Sequence, residues 1–349
     1  MQNTVRRRSS VRDPARRALQ IALVCVTVLM ALPSLAQAHG VSTPNASSYL
    51  AKVGRAPSGV DAKVVDGDLR LWIRVAPWQR LEVLDYSGAP YLRFTRGGVE
   101  VNRNAAIYYL NLTPVEVPPA GLTVKTPPRW QKVSSAHQYS WHDGRLAALA
   151  STVLAPGARY VGRWSIAVRV DGHLSSISGG VWHAPAPPIA WFWPVVVIFA
   201  CVLAAYRLRR PKLDLDLARA LAVTVLAATV IGTLGRQLEG RPSITAWQIG
   251  LLIVILALVI AALAWTLRGR PGCFFLFVVC VASLWEDFEL IPTLIHGYVL
   301  MAMPAFLIRV AAVLCLGAGA GLLLLVVRMA DLPEGTLALS RRARRGSPA

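Results

Sequence analysis

Residues 69–75 read LRLWIRV and residues 163–170 read RWSIAVRV. In the first, Leu69, Leu71, Ile73 and Val75 alternate with Arg70, Trp72 and Arg74. In the second, Trp164, Ile166, Val168 and Val170 alternate with Arg163, Ser165, Ala167 and Arg169. Successive side chains of a strand point to opposite faces, so a period of two marks strands with one buried face, as in an antiparallel sheet. LEVLDY (81–86), PYLRF (90–94), VEVN (99–102) and IYYL (107–110) are shorter strand candidates, separated by turn signals such as SGAP and TRGG. Many short strands without a convincing helix predict an antiparallel β-sandwich of the Ig-like kind over residues 39–183. The run PVEVPPAGLTVKTPPRW (114–130) reads as irregular chain crossing between sheets. HAPAPP (183–188) reads as a stiff extended lead into a linker over 184–189.

The chain around this domain has a different character. It has 349 residues, 55% of them hydrophobic, and a mean hydropathy of +0.48. Soluble domains average roughly 45–50% apolar residues, so a membrane class is the first expectation. The net charge of +19 does not point to nucleic acid, because its arginines flank apolar runs. Arg6, Arg7, Arg8, Arg12, Arg16 and Arg17 precede the first run; Arg207, Arg209, Arg210 and Lys212 follow a later one, as do Arg268 and Arg270. Arg341, Arg342, Arg344 and Arg345 end the chain. Basic residues on one side of apolar segments are the positive-inside pattern.

Residues 1–38 combine an arginine-rich start, the apolar run ALQIALVCVTVLMALPSL and the small residues Ala36 and Ala38, the pattern of a cleaved signal peptide. An uncleaved anchor exports the following domain equally well. After residue 189, apolar segments at about 190–206, 218–234, 246–267, 273–293 and 304–327 approach the roughly 20 residues needed per span. The expectation is a five-helix membrane domain over 190–328 with a basic cytoplasmic tail over 329–349. The flanks alternate: RLRRPK, RGRPG and RRARR fall inside, RQLEGRPSITAWQ and HGYVLMAM outside. Trp191, Trp193 and Trp247 sit at interface depth. Gly317 and Gly321 have the spacing of close helix packing. The five cysteines (Cys25, Cys201, Cys273, Cys280 and Cys315) all lie in apolar segments, so the exported domain needs no disulfide.

Two groups of residues carry candidate chemistry. In LWEDFELIPTLIHGY, Glu286, Asp287 and Glu289 stand near the outer end of the fourth apolar segment, with His296 beyond, and Arg309 in the next segment is the expected partner for Glu289 or Asp287. Ionisable residues at membrane depth are functional candidates, and the alternative is an interfacial cluster capping the helix. The second group is His39, Asp171 and His173. Cleavage after Ala38 leaves His39 with a free α-amine and an imidazole nitrogen, a chelate suited to Cu(II). The stretch YVGRWSIAVRVDGHLSSISGG (160–180) resembles the exported copper-carrier proteins of bacterial copper-resistance operons (CopC type). That resemblance implies His39, Asp171 and His173 as Cu(II) ligands. The segment after His39, GVSTPNASSYLAKV, departs from that family's opening pattern, and an Asp-Gly turn between strands is also ordinary hairpin chemistry.

A broader resemblance rests on YLRFTRGGVEVNRNAAIYYLN (91–111), RWQKVSS (129–135) and WHDGRLAALA (141–150). These look like stretches of uncharacterised actinobacterial membrane proteins with an exported β domain ahead of several C-terminal spans. The likeness implies architecture and location but no activity. Members of that group carry a further histidine after the Trp-His-Asp-x-Arg motif, which LAALA lacks. Here Trp141 and Arg145 are expected to form a cation–π contact with His142 and Asp143 in a turn. No Gly-x-Ser-x-Gly elbow, phosphate loop, His-Glu-x-x-His or exported cysteine nucleophile occurs, so no enzyme is expected. The first functional expectation is a multi-pass protein of the plasma membrane whose exported domain binds a small ligand or an envelope protein. The alternatives are copper handling through His39 and ion transport through Glu286, Asp287, Glu289 and His296.

Overall fold

The computed structural model describes residues 44–112, 115–147, 157–208, 210–240, 242–268 and 272–330. His39, the signal segment and the basic tail lie outside the described residues. The β-rich region comprises β1 (Ala46–Ser47), β2 (Tyr49–Arg55), β3 (Val60–Val65), β4 (Arg70–Val75), β5 (Leu81–Leu84), β6 (Pro90–Thr95), β7 (Gly98–Asn102), β8 (Trp130–Ser134), β9 (Gln138–His142), β10 (Tyr160–Val170) and β11 (His173–His183). One antiparallel sheet has the order β2-β11-β10-β5-β6-β7-β8 and a second the order β3-β4-β9.

The alternation read from the sequence is what builds the core. Leu71, Ile73, Val75, Ile166 and Val168 are almost wholly buried in a single apolar cluster drawn from both sheets. Each such side chain contributes about 1.5–3 kcal/mol on burial. Trp72 departs from the pattern: it points to the polar face and is still buried. The Lys63 Nζ and Arg74 Cζ atoms stand 5.4 and 5.6 Å from its ring centroid, and their stems cover it.

Two expectations change. IYYL is not a strand but part of the short helix α1 (Ala106–Leu110). Asn102 turns the chain there, its side-chain oxygen accepting from the backbone N–H of Asn104 and Arg129, and Ile107 alone of the segment buries completely. A four-residue apolar run cannot distinguish helix from strand by periodicity. The Pro-rich run also fails to cross between sheets. It joins β7 to β8, neighbours in one sheet, and the chain next passes to the other sheet at the short connection from β8 to β9.

The helical region comprises α2 (Trp193–Leu208), α3 (Pro211–Gln237), α4 (Ala246–Arg268), α5 (Cys273–Leu290), α6 (Pro292–Ile295) and α7 (Ala305–Ala330), with β12 (Tyr298–Val299) between the last two. Four stretches are long and apolar enough to cross a membrane: Ile189–Leu208, Lys212–Gln237, Ala246–Arg268 and Ala305–Met329. The remaining long helix, α5, carries three carboxylates at one end. α7 is central, with α3, α5 and α2 against it, while α4 packs on α3. Gly317 and Gly321 receive α2: a Cβ on Gly317 would come within 3.2 Å of the Val195 backbone.

Candidate functional site

The carboxylates of α5 lie where α3, α5 and α7 converge. Glu286 and Asp287 are 4% and 3% exposed. Glu286 pairs with Arg236, near the C-terminal end of α3, through Oε2 and Nη2 at 2.5 Å. Gly232, one turn earlier on α3, makes room for this pair: a Cβ there would lie 2.2 Å from Glu286 Oε1. Arg236, expected in an outer loop as part of RQLEGRPSITAWQ, instead lies in the last turn of α3. The glycine one turn before a lone arginine at the end of an apolar segment was the available signal.

Arg309 does not pair with Asp287 or Glu289, contrary to expectation. Its guanidinium donates to the carbonyls of Thr293 (3.0 Å), His296 (3.2 Å) and Gly297 (2.9 Å). The chain leaves regular helix after α5 and α6, so its carbonyls lose their intrahelical donors and Arg309 supplies replacements. Among the described residues, Asp287 Oδ1, Glu286 Oε1 and Thr233 Oγ1 are buried without a hydrogen-bond partner. Thr233 is 1% exposed.

Immediately beyond α5 the helical region is stitched to the sheets. β1 pairs antiparallel with β12, Ala46 opposite Val299 and Ser47 opposite Tyr298. The Leu300 N–H donates to the Asn45 carbonyl at 2.9 Å, and Asn45 Nδ2 donates to the Glu289 carbonyl at 2.9 Å. Ser48 Oγ and His296 Nδ1 share a hydrogen bond of 2.9 Å. Gly297 lies against the linker, where a Cβ would fall 2.4 Å from the Ala184 carbonyl oxygen. His296 and the Glu289 backbone are therefore parts of a clamp between domains, an arrangement the sequence reading did not anticipate.

In the β region, Asp143 is fully buried and accepts from Trp141 Nε1 (2.9 Å), Arg145 Nε (2.8 Å), Arg145 Nη2 (2.7 Å) and the Arg145 N–H (3.1 Å). Arg145 also donates to the Leu84 carbonyl and stacks over Tyr86. The expected Trp141–Arg145 cation–π contact is thus replaced by a shared carboxylate, because a buried indole N–H requires an acceptor. Tyr91 packs edge-on against Trp141, and burial pushes its phenol well above the usual tyrosine range. This group ties β9 to β5 and holds its members in contact with one another.

The Asp-Gly-His segment forms the tip of the β10–β11 hairpin. Asp171 and Gly172 have φ of 48° and 86°, the left-handed pair of a two-residue type I′ turn. Asp171 Oδ1 accepts from the Arg80 N–H at 2.9 Å, and His173 is exposed. β11 runs for 11 residues from His173 to His183, about 33 Å at a strand's rise. His183 pairs with Tyr49, at the end of the domain where β1 meets β12. His39, the third residue of the expected Cu(II) group, lies outside the described residues. Among the described residues no group of three histidine, cysteine, aspartate or glutamate side chains is placed to hold a metal.

Comparison with known proteins returns no matching family, no matching curated protein and no matching solved structure.

Proposed function

We propose that this chain is a multi-pass plasma-membrane protein, not an enzyme, whose exported Ig-like β-sandwich is a binding module for a ligand or protein of the cell envelope. The carrying observation is the clamp. A domain serving only as a tethered cap needs no more than its linker, whereas here β1, Asn45 and Ser48 hold residues 289–300 through backbone pairing and side-chain bonds. Anything that shifts the sheet at β2–β11 reaches the ends of α5 and α7 through these bonds.

In this reading α5 is a fifth span, its carboxylate end toward the domain, and the basic tail is cytoplasmic, as the charge pattern requires. Recognition falls to the end of the β domain away from the helices. There the loop after β4 presents Trp78, 77% exposed, and the start of β11 presents Leu174, 73% exposed. Exposed aromatic and aliphatic side chains on loops held by a rigid sheet are the usual elements of a recognition surface.

The test places a photo-crosslinking amino acid at position 78 or 174 of the full chain in intact cells, with position 265, an exposed tryptophan of α4, as a lipid-facing control. The expected result is a discrete adduct from 78 or 174 and lipid labelling from 265. Absence of any adduct at 78 and 174, with the control labelled, overturns the reading.

A further inference from the structure

We propose that Asp287 is a proton-binding site in the helical core, holding an exchangeable proton while its neighbour Glu286 stays charged against Arg236. The inference goes beyond the binding-module reading and stands on the packing of α3, α5 and α7 alone. The two adjacent carboxylates are equally buried, yet only one has a counter-charge: Arg236 bonds Glu286 Oε2, and Asp287 receives no hydrogen bond on Oδ1. Arg309, the cation nearest in expectation, is committed to three backbone carbonyls. The other titratable groups at this end of the packed elements are Cys315 on α7, which lies within electrostatic reach of both carboxylates, Glu289 on α5, and His296 beyond it, which is bonded to Ser48; Asp214, Asp216, Arg219 and Arg328 lie toward the opposite ends of α3 and α7. None of them supplies a positive partner to Asp287.

A buried carboxylate without a partner is strongly disfavoured as an anion and is neutralised by taking up a proton or a cation. A cation needs several oxygen ligands at once, whereas a proton needs only the one carboxylate, which favours the proton. Uptake transfers one proton from hydronium to the Asp287 carboxylate, forming an O–H bond and releasing water; release reverses it. Protonation also converts an acceptor-only group into a donor, in a region where Thr233 Oγ1 and Glu286 Oε1 are likewise buried and unpartnered. Asp287 sits two residues before Glu289, whose carbonyl Asn45 of the β domain holds, so a change of charge here falls on the helix end that the clamp grips.

The test is infrared difference spectroscopy of the full chain in lipid nanodiscs across a pH titration, in water and in deuterium oxide. The wild-type chain is expected to show a protonated-carboxyl C=O band at neutral pH that shifts in deuterium oxide. The band should be absent from Asp287→Asn, shifted but present in Asp287→Glu, and kept in Glu286→Gln. Thermal unfolding of the same samples gives an independent reading: wild type loses stability as pH rises, and the neutral isostere Asp287→Asn loses that dependence. The proposal is overturned by a wild-type chain with only carboxylate bands at neutral pH, or by a protonated band that survives in Asp287→Asn. A band appearing only after sodium and potassium are removed reassigns the site to an alkali cation and overturns it as well.

Discussion

Ser48 and His296 are 248 positions apart in the chain and meet at 2.9 Å through one side-chain hydrogen bond. On either side of that bond, β1 pairs with β12 and Asn45 holds the Glu289 carbonyl, so the contact belongs to a continuous seam. The seam ends two residues from Asp287 along α5. Movement of the β domain and the charge of the helical core therefore act on the same short segment, residues 286–300.

The seam can be tested by a disulfide. Directly opposed antiparallel residues have Cα atoms about 4.5–5.5 Å apart, within the range a disulfide spans. Ala46→Cys combined with Val299→Cys should cross-link under mild oxidation of the full chain in membranes and run with altered mobility on a non-reducing gel. Each single variant is the control, and failure of the pair to oxidise excludes the register.

Removing the buried carboxylate of the β domain should be costly. Asp143→Ala leaves the Arg145 guanidinium and the Trp141 N–H without their acceptor. Breaking a buried pair in this way costs about 3–5 kcal/mol. Chemical denaturation of the full chain followed by tryptophan fluorescence should show an early loss of the β-domain transition, with Asp143→Asn losing less.

The same group sets an alkaline limit. Burial raises the phenol pKa of both Tyr91 and Tyr139. A group whose folded pKa lies above its unfolded value stabilises the fold fully below the unfolded value, about 10 for tyrosine, and loses that contribution as pH rises beyond it. Stability of the β domain should hold up to about pH 10 and fall above it. Ultraviolet titration should show tyrosine ionisation coinciding with unfolding, and Tyr91→Phe should make the decline shallower.

Gly232 is a tight point of the helical core. A Cβ there would overlap Glu286 Oε1, so the carboxylate must shift and disturb the pair that its Oε2 makes with Arg236. Gly232→Ala should destabilise by at least about 1–3 kcal/mol, the usual cost of overpacking. The check is the fraction of detergent-solubilised chain that stays monodisperse after heating, compared with Gly250→Ala, where a Cβ meets nothing.

Orientation is tested at the hairpin tip. His173→Cys puts a thiol at an exposed position at the far end of β11 from the helices. Intact cells treated with a membrane-impermeant maleimide should label this variant, while a cysteine in the tail at 340 is labelled only after lysis. Labelling of the tail first would invert the topology.

Much of this architecture is legible in local patterns. The alternation of LRLWIRV and RWSIAVRV defines strands because period two depends only on neighbouring residues, and the five apolar segments mark five helices for the same reason, four of them long and apolar enough to cross a membrane. Asp171–Gly172 is legible as a hairpin turn, since few residue pairs adopt two left-handed conformations in succession. Pairing between distant residues is not legible in this way. Arg236 meets Glu286 rather than Arg309 meeting Asp287 because helix packing, not proximity in sequence, decides which cation reaches which carboxylate. Likewise the two-residue strands at Ala46 and Tyr298 carry no periodicity of their own, and each becomes a strand only when the other is beside it. Sequence alone thus determines where strands, turns and apolar helices lie, through steric and hydrophobic preferences expressed over a few residues. Tertiary structure alone decides that Asp287 is left without a partner and that the sheets are fastened to the helices, because both depend on which surfaces meet when the chain closes.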